Sequence, residues 1–321
     1  VDVVSEGERS RWTVPPWEGT IRDGRLYGRG ACDMKGALAC ALFAAAAIRD
    51  AGVRLNGRLL IESVVGEEDG GCGTLAALER GYRGDGAIVL EPTRMTVAPA
   101  QAGALNFRIR ISGAAAHGCF RDEGVSPIEK FIPVYQALAA LERERNADVA
   151  HPLFVDYPLP YALSVGTVHS GAWASTVAEE LVCEGRYGVA VGEDLASARA
   201  ALEAAVKAAA AADAWLREHP PRVEWWGAQF EAAETPVESD IVSTLCGAVA
   251  ALTGTPPPIQ GMPYGADMRL LVNEGATPTV IYGPGDVRRA HAPDEYVDIA
   301  ELEAVARALA LAAVRFCGVA S

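Results

Sequence analysis

Positive charge is scarce in this chain. Against 42 Asp and Glu stand 28 Lys and Arg, a formal net charge of −14 over 321 residues. Nucleic acid and anionic membrane both demand a positive surface, so this balance argues against either partner and leaves small molecules as the better fit. A cysteine pattern is lacking too. The seven cysteines (32, 40, 72, 119, 183, 246, 317) are odd in number, scattered and never spaced Cys-x-x-Cys. That argues against a disulfide framework or a thiolate zinc site and makes a reducing cytoplasm the simpler setting. No long leucine-rich run occurs: the most apolar stretch, Ala31 to Ile48, is alanine-rich, carries Asp33 and Lys35 near one end, and reads as a packed helix rather than a membrane span. No basic-then-apolar signal segment opens the chain, and repeats and low-complexity tracts are absent. Of only five histidines, His151, His169 and His219 match no motif and read as structural. Trp225-Trp226 lacks a basic groove around it, so core or domain-joint packing explains it better than a stacking platform.

What is present begins at Gly28-Arg-Gly-Ala-Cys-Asp-Met-Lys-Gly36. Glycines on either side of an isolated acid describe a tight path that delivers Asp33 to the mouth of a helix, because Ala37 to Ile48 is a run of good helix formers. A lone Asp there would be explained by capping. Company changes that reading. Leu59 to Gly66 reads as a buried strand ending in Glu67-Glu68, Ala87 to Leu90 as another ending in Glu91, and Thr277 to Tyr282 as a third with His291 shortly beyond. In open α/β sheets ligands bind outside the carboxyl ends of the strands, so these positions share one rim. Clustered carboxylates repel one another unless cations neutralise them, and these loops hold too few Lys and Arg to do so. A pair of divalent metals would, with an Asp bridging ions about 3.5–4 Å apart.

The motifs Gly28 to Gly36, Gly66-Glu67-Glu68, Leu90-Glu91-Pro92-Thr93 and Ala290-His291-Ala292-Pro293-Asp294-Glu295 resemble, in order and along the whole chain, those of a di-zinc amidohydrolase family. That family includes acetylornithine deacetylase, succinyl-diaminopimelate desuccinylase, aminoacylase and glutamate carboxypeptidase. The resemblance implies an α/β protein with two parts. A doubly wound, mostly parallel catalytic domain spans 1–102 and 222–321, and an inserted α+β domain at 103–221 serves as lid and dimerisation module. From Gly103 the pattern does read as βαββαβ, the ferredoxin-like order, with a last strand at Arg222 to Trp226 and hence an antiparallel sheet covered on one face.

The resemblance also implies roles. Two divalent ions, zinc first with cobalt or manganese possible, are held by a bridging Asp33, by Glu68 with His291, and by Glu91 with an upstream His. Glu67, adjacent but not a ligand, moves the proton. His117 is the lid histidine that stabilises the oxyanion in a partner subunit's site, so a homodimer is expected. Asp2 fits the Asp of a His-x-Asp motif, standing behind the metal ligands and orienting that His, which is expected just before Val1; the chain starts without Met inside what reads as a strand, Val1 to Val4. Without that His the chain as given is expected to hold metal poorly and to show little hydrolysis. Arg186 and Arg269 match arginines that grip a substrate carboxylate, for which a planar fork is suited. One departure is Ser175-Thr-Val-Ala178 where relatives carry Asn-x-Val-Pro, so a donor to the reacting carbonyl is absent, replaced or supplied by Ser175.

The implied activity is metal-dependent hydrolysis of the amide in an N-acyl amino acid, with a small molecule and no nucleic acid or membrane as partner. A metallopeptidase (carboxypeptidase, aminopeptidase or dipeptidase) of the same family is the second reading. A non-catalytic dimerising or ligand-binding relative is the third, against which Glu67 argues, since a binding protein has no use for a proton shuttle.

Overall fold

A computed structural model of the chain describes residues 2–320. Val1, and with it the start of the expected first strand, lies outside the described residues; Asp2 to Val4 form no strand. Contacts divide the chain into two units: Val1–Gln101 with Ala233–Met262 and Ala266–Ser321, and Ala102–Ala232 with Pro263–Gly265. The seam after 232 differs from the expected 221/222 because Arg222–Phe230 is hydrogen-bonded to Gly103–Ser112, with Phe230 opposite Ala104.

In the first unit, helix Gly36–Asp50 buries Ala37, Cys40, Ala44 and Ile48, the three-to-four spacing of one helical face. That face joins Val305, Ala308, Leu309 and Ala312 of helix Ile299–Cys317 in one apolar cluster. The segment Ala31–Asp50 is long and apolar enough to cross a membrane by length and composition; Ala37, Cys40 and Ala44 on it join the apolar cluster, while Leu42 and Phe43 are exposed. Helix Asp240–Thr253 adds Val242, Leu245 and Val249 to the cluster and stops at Gly254, whose φ of 79° gives the left-handed cap that a side chain resists.

Parallel strands in this unit are one pair among the described residues, Ala87–Val89 beside Thr279–Ile281. Their ends are locked together, since Gly283 N donates to Thr93 Oγ1 at 3.1 Å and Thr93 Oγ1 donates to Gly283 O at 3.2 Å. Gly283 is required there, because a Cβ would lie 2.5 Å from Glu91 O. The expected buried strand over Leu59 to Gly66 is not one: no ladder forms on it, and Leu59, Leu60 and Val65 are 41%, 40% and 57% exposed. An apolar run becomes a strand only where a neighbour offers it a ladder, and only the preceding residues have one, Asn56 and Gly57 donating to Gly318 O and Cys317 O.

The second unit carries a four-stranded antiparallel sheet, in the order Arg222–Phe230, Gly103–Ser112, Glu180–Val189, Leu163–Ser170. Helices Pro127–Ala147 and Leu195–Ala211 begin at Ser126 and Asp194, each accepting a backbone N–H at its cap. Along the central strand Leu105, Phe107, Ile109 and Ile111 alternate inward and meet Val134, Leu138, Leu202 and Val206 of the helices. After Ala211 the chain breaks at Asp213, which caps a separate helical turn, Ala214–Glu218. Trp225 packs on this core, whereas Trp226 points to the other face, 40% exposed beneath the Arg108 guanidinium.

Candidate metal centre

The centre lies within the first unit, on a cavity of about 820 Å³ lined by Asp2, Asp33, Glu67, Glu68, Glu91 and Asp267 among others. Asp33 sits in the turn Ala31–Lys35 that feeds helix Gly36–Asp50. Glu68 stands on the loop after Gly66, a loop held from three sides. Asp2 accepts from Gly66 N at 2.9 Å and Glu68 N at 3.3 Å, Gly71 N donates back to Gly66 O at 2.6 Å, and Arg269 Nη2 donates to Gly70 O at 2.7 Å. Glu91, 6% exposed, follows the Ala87–Val89 strand. His291 arrives from the far side, after the turn Val287–Arg289, with a φ of 59° that few non-glycine residues adopt.

These paths converge. His291 Nε2 lies 3.4 Å from Asp33 Oδ2 and 3.4 Å from Glu68 Oε2. One ligand atom from each of Asp33, Glu68 and His291 falls within 4.8 Å of the others. Electrostatics shows what so many acids cost. Burial first, then the charges of Asp267, Glu68, Asp33 and Asp2, push Glu67 from 4.5 up to about 9. Burial, reinforced by the charges of Asp33 and Glu67, holds Glu91 well above the usual carboxylate range. Hydrogen bonds to Asp33 and Glu68 push His291 up to about 10. Protons here do the neutralising that a cation could do better. Carboxylate oxygens with an imidazole nitrogen, crowded and short of other positive charge, fit a divalent cation.

That electrostatic state has a measurable consequence. Glu67 and His291 both bind protons more tightly folded than unfolded, so their contribution to stability is whole below 4.5 and 6.5 and is lost as pH rises through about 9 and about 10. In chelator-treated protein the melting temperature should therefore fall between pH 6.5 and 9. Glu67 would contribute roughly 1 kcal/mol per pH unit; His291, 54% exposed, would add less because solvent screens its pairs. A divalent cation displaces these protons and should flatten the fall. Calorimetry with and without the cation checks it, and a metal-free melting temperature that climbs over this window would contradict the sign.

The other residues read from the sequence are placed as follows. Asp2 is engaged by the backbone of the Glu67-Glu68 loop. Arg269, 8% exposed, is in the first unit and pins Gly70. Arg186, in the second unit, donates to Pro263 O at 2.9 Å and Ala162 O at 3.5 Å, and burial lowers its pKa. His117 and Ser175 are exposed in the second unit, on adjacent short segments where Gly118 N donates to Ser175 O at 2.7 Å. His151 packs edge-on against Phe154, and His219 lies 3.9 Å, centroid to centroid, from Trp215.

Two acids were missed by sequence reasoning. Glu295, 1% exposed, accepts from Gly30 N at 3.0 Å, Cys32 N at 2.9 Å and Asp33 N at 3.0 Å, and is paired with buried Arg29. It holds the turn that presents Asp33. Asp267, 5% exposed, accepts from Thr74 Oγ1 and is the largest charge effect on Glu67. Glu295 stands in the motif that carries His291 and Asp267 lies two residues before Arg269, so the signal was an acid beside a site residue with no task assigned.

A cluster of carboxylates with an imidazole, short of other positive charge, is a ligand set suited to a divalent cation. The chain belongs to the peptidase family M20/M25/M40, whose model matches residues 1–315. It is 31% identical to N-formyl-4-amino-5-aminomethyl-2-methylpyrimidine deformylase of Halalkalibacterium halodurans, over 94% of this chain and 74% of that protein. It is 30% identical to acetylornithine deacetylase of Myxococcus xanthus, over 93% of this chain and 74% of that protein. Its fold matches an M20 family metallo-carboxypeptidase from Sulfolobus solfataricus with a TM-score of 0.74 at 16% identity, covering 97% and 82% of the two chains. The family read from the motifs is thus the right one, and the chain is an amidohydrolase of that family.

Proposed function

We propose that the chain cleaves the amide of a small N-acyl amine at this centre, and the observation that carries the reading is the convergence of Asp33, Glu68 and His291 around one point beside Glu67 and Glu91. Asp33, Glu68, Glu91 and His291 would be among the ligands of two divalent cations, zinc by the softness of the imidazole, with cobalt or manganese as substitutes. Bound there, the metals supply Lewis acidity towards the scissile carbonyl. Glu67 takes the proton from the attacking water and delivers it to the departing amine nitrogen. His117 donates a hydrogen bond to the oxyanion, and Ser175 is a second donor to the reacting carbonyl. The parallel pair Ala87–Val89 with Thr279–Ile281 is read as part of a doubly wound sheet, the second unit as an inserted lid that also forms a homodimer. Seven free thiols support the cytoplasm as the setting.

For the amine half, an amino acid is the first reading, with Arg186 and Arg269 taking its carboxylate. A second reading is favoured by a specific observation: both guanidiniums are engaged by main-chain carbonyls. An amine without a carboxylate, such as the aminomethylpyrimidine in the name of two relatives, needs neither. A panel of N-acetyl and N-succinyl amino acids, N-formyl aryl-methylamines and dipeptides, assayed with zinc, separates these. Turnover of an N-acyl substrate at least about tenfold above any dipeptide, a difference of about 1.4 kcal/mol in the barrier, is expected. Turnover of dipeptides alone would make the chain a peptidase.

A further inference from the structure

His117 ends a two-residue strand, Ala116–His117, paired with Thr176–Val177, and its side chain caps the turn Gly118–Glu123. The backbone closes tightly there, since a Cβ on Gly118 would lie 2.7 Å from Ser175 O. As a result the next residue, Cys119, doubles back on the imidazole. Its backbone N–H donates to His117 Nδ1 at 3.3 Å, and its Sγ lies 2.9 Å from the same nitrogen.

We propose that Cys119 is a positioning residue that fixes His117 in the tautomer carrying its proton on Nε2. A ring nitrogen that receives a backbone N–H must present a lone pair, because two N–H groups cannot face each other. Nδ1 is therefore the acceptor, and the neutral ring carries its hydrogen on Nε2. The sulfur is assigned by the same step. A thiolate would need Nδ1–H as its donor, which the backbone N–H excludes, so Cys119 is a neutral S–H that donates to Nδ1 alongside its own main chain. Two donors on Nδ1 leave Nε2–H as the outward-facing group. A fixed donor on a short, anchored segment is what an oxyanion requires, and it requires no rearrangement when charge develops. This inference rests on the role proposed for His117 above.

The test uses the full chain loaded with zinc and labelled with 15N in its imidazoles. Two-bond proton–nitrogen correlation spectra should show His117 as the Nε2–H form with a hydrogen-bonded Nδ1. Cys119→Ala keeps the backbone donor but loses the thiol. It should weaken the Nδ1 hydrogen-bond signature, leave the hydrogen on Nε2 because the backbone N–H still faces Nδ1, and lower kcat about three- to tenfold at unchanged KM, the effect of one modest hydrogen bond. Cys119→Ser should restore both. A wild-type ring protonated on Nδ1, or spectra that Cys119→Ala leaves unchanged, overturns the proposal. If the tautomer is as expected and His117→Ala keeps full turnover, the contact stands and the oxyanion role of His117 is what falls.

Discussion

Replacing Glu67 by Gln should lower kcat by about 10²- to 10⁴-fold while leaving metal content unchanged. On the proposed reading the two neighbours in Glu67-Glu68 divide the work by direction. Adjacent residues on an extended or turning backbone project to different sides, and only Glu68 reaches His291, with Oε2 at 3.4 Å from Nε2. Glu67 instead faces Asp267 and the remaining acids, where burial and like charge raise it to about 9. Gln preserves the shape and removes the proton transfer, so substrate affinity should change little. Glu68→Gln should do the reverse and release metal. Elemental analysis beside kcat and KM for both variants reads the assignment directly: metal lost from Glu67→Gln and kept in Glu68→Gln would mean the two roles are exchanged.

How much of this was legible before the fold depends on what kind of signal each residue sends. Asp33, Glu67, Glu68, Glu91 and His291 could be singled out because metal chemistry demands particular side chains after particular loops, and those leave local marks: glycines around Asp33, acids at the ends of apolar runs. The alternating strand Gly103–Ser112 and the capped helices were equally local. Leu59 to Gly66 misled for the opposite reason. Its apolar run says the segment suits a sheet, but a ladder is a property of a pair, and no pattern within eight residues reports whether a partner strand lies alongside. Glu295 was opaque on similar grounds. Its contacts reach back 262 to 266 residues to Arg29, Gly30, Cys32 and Asp33, and a buried acid that holds backbone N–H groups has the same letter as a solvated one.

Glu295→Ala should be the most damaging single change away from the ligands themselves. It removes two things at once. Arg29, 3% exposed, loses the carboxylate that neutralises it and keeps, among the described residues, the Trp12 ring, 5.3 Å from its guanidinium carbon, as a favourable surface. Stranding one member of a buried ion pair costs about 3–5 kcal/mol. The N–H groups of Gly30, Cys32 and Asp33 lose their acceptor too, and with them goes the backbone path that aims Asp33 at His291. Losses of about 10- to 100-fold in metal affinity are usual when the groups that orient a ligand are removed. A double variant separates the two effects. Arg29→Met with Glu295→Leu replaces the charges by apolar groups of similar bulk, which should recover most of the stability, yet Leu accepts no hydrogen bond and the turn stays unpinned. Thermal melts should therefore return towards wild type while zinc titration remains weak. Full recovery of zinc affinity in the double variant would show that Glu295 serves only to balance Arg29, and that the turn at Asp33 holds its shape without it.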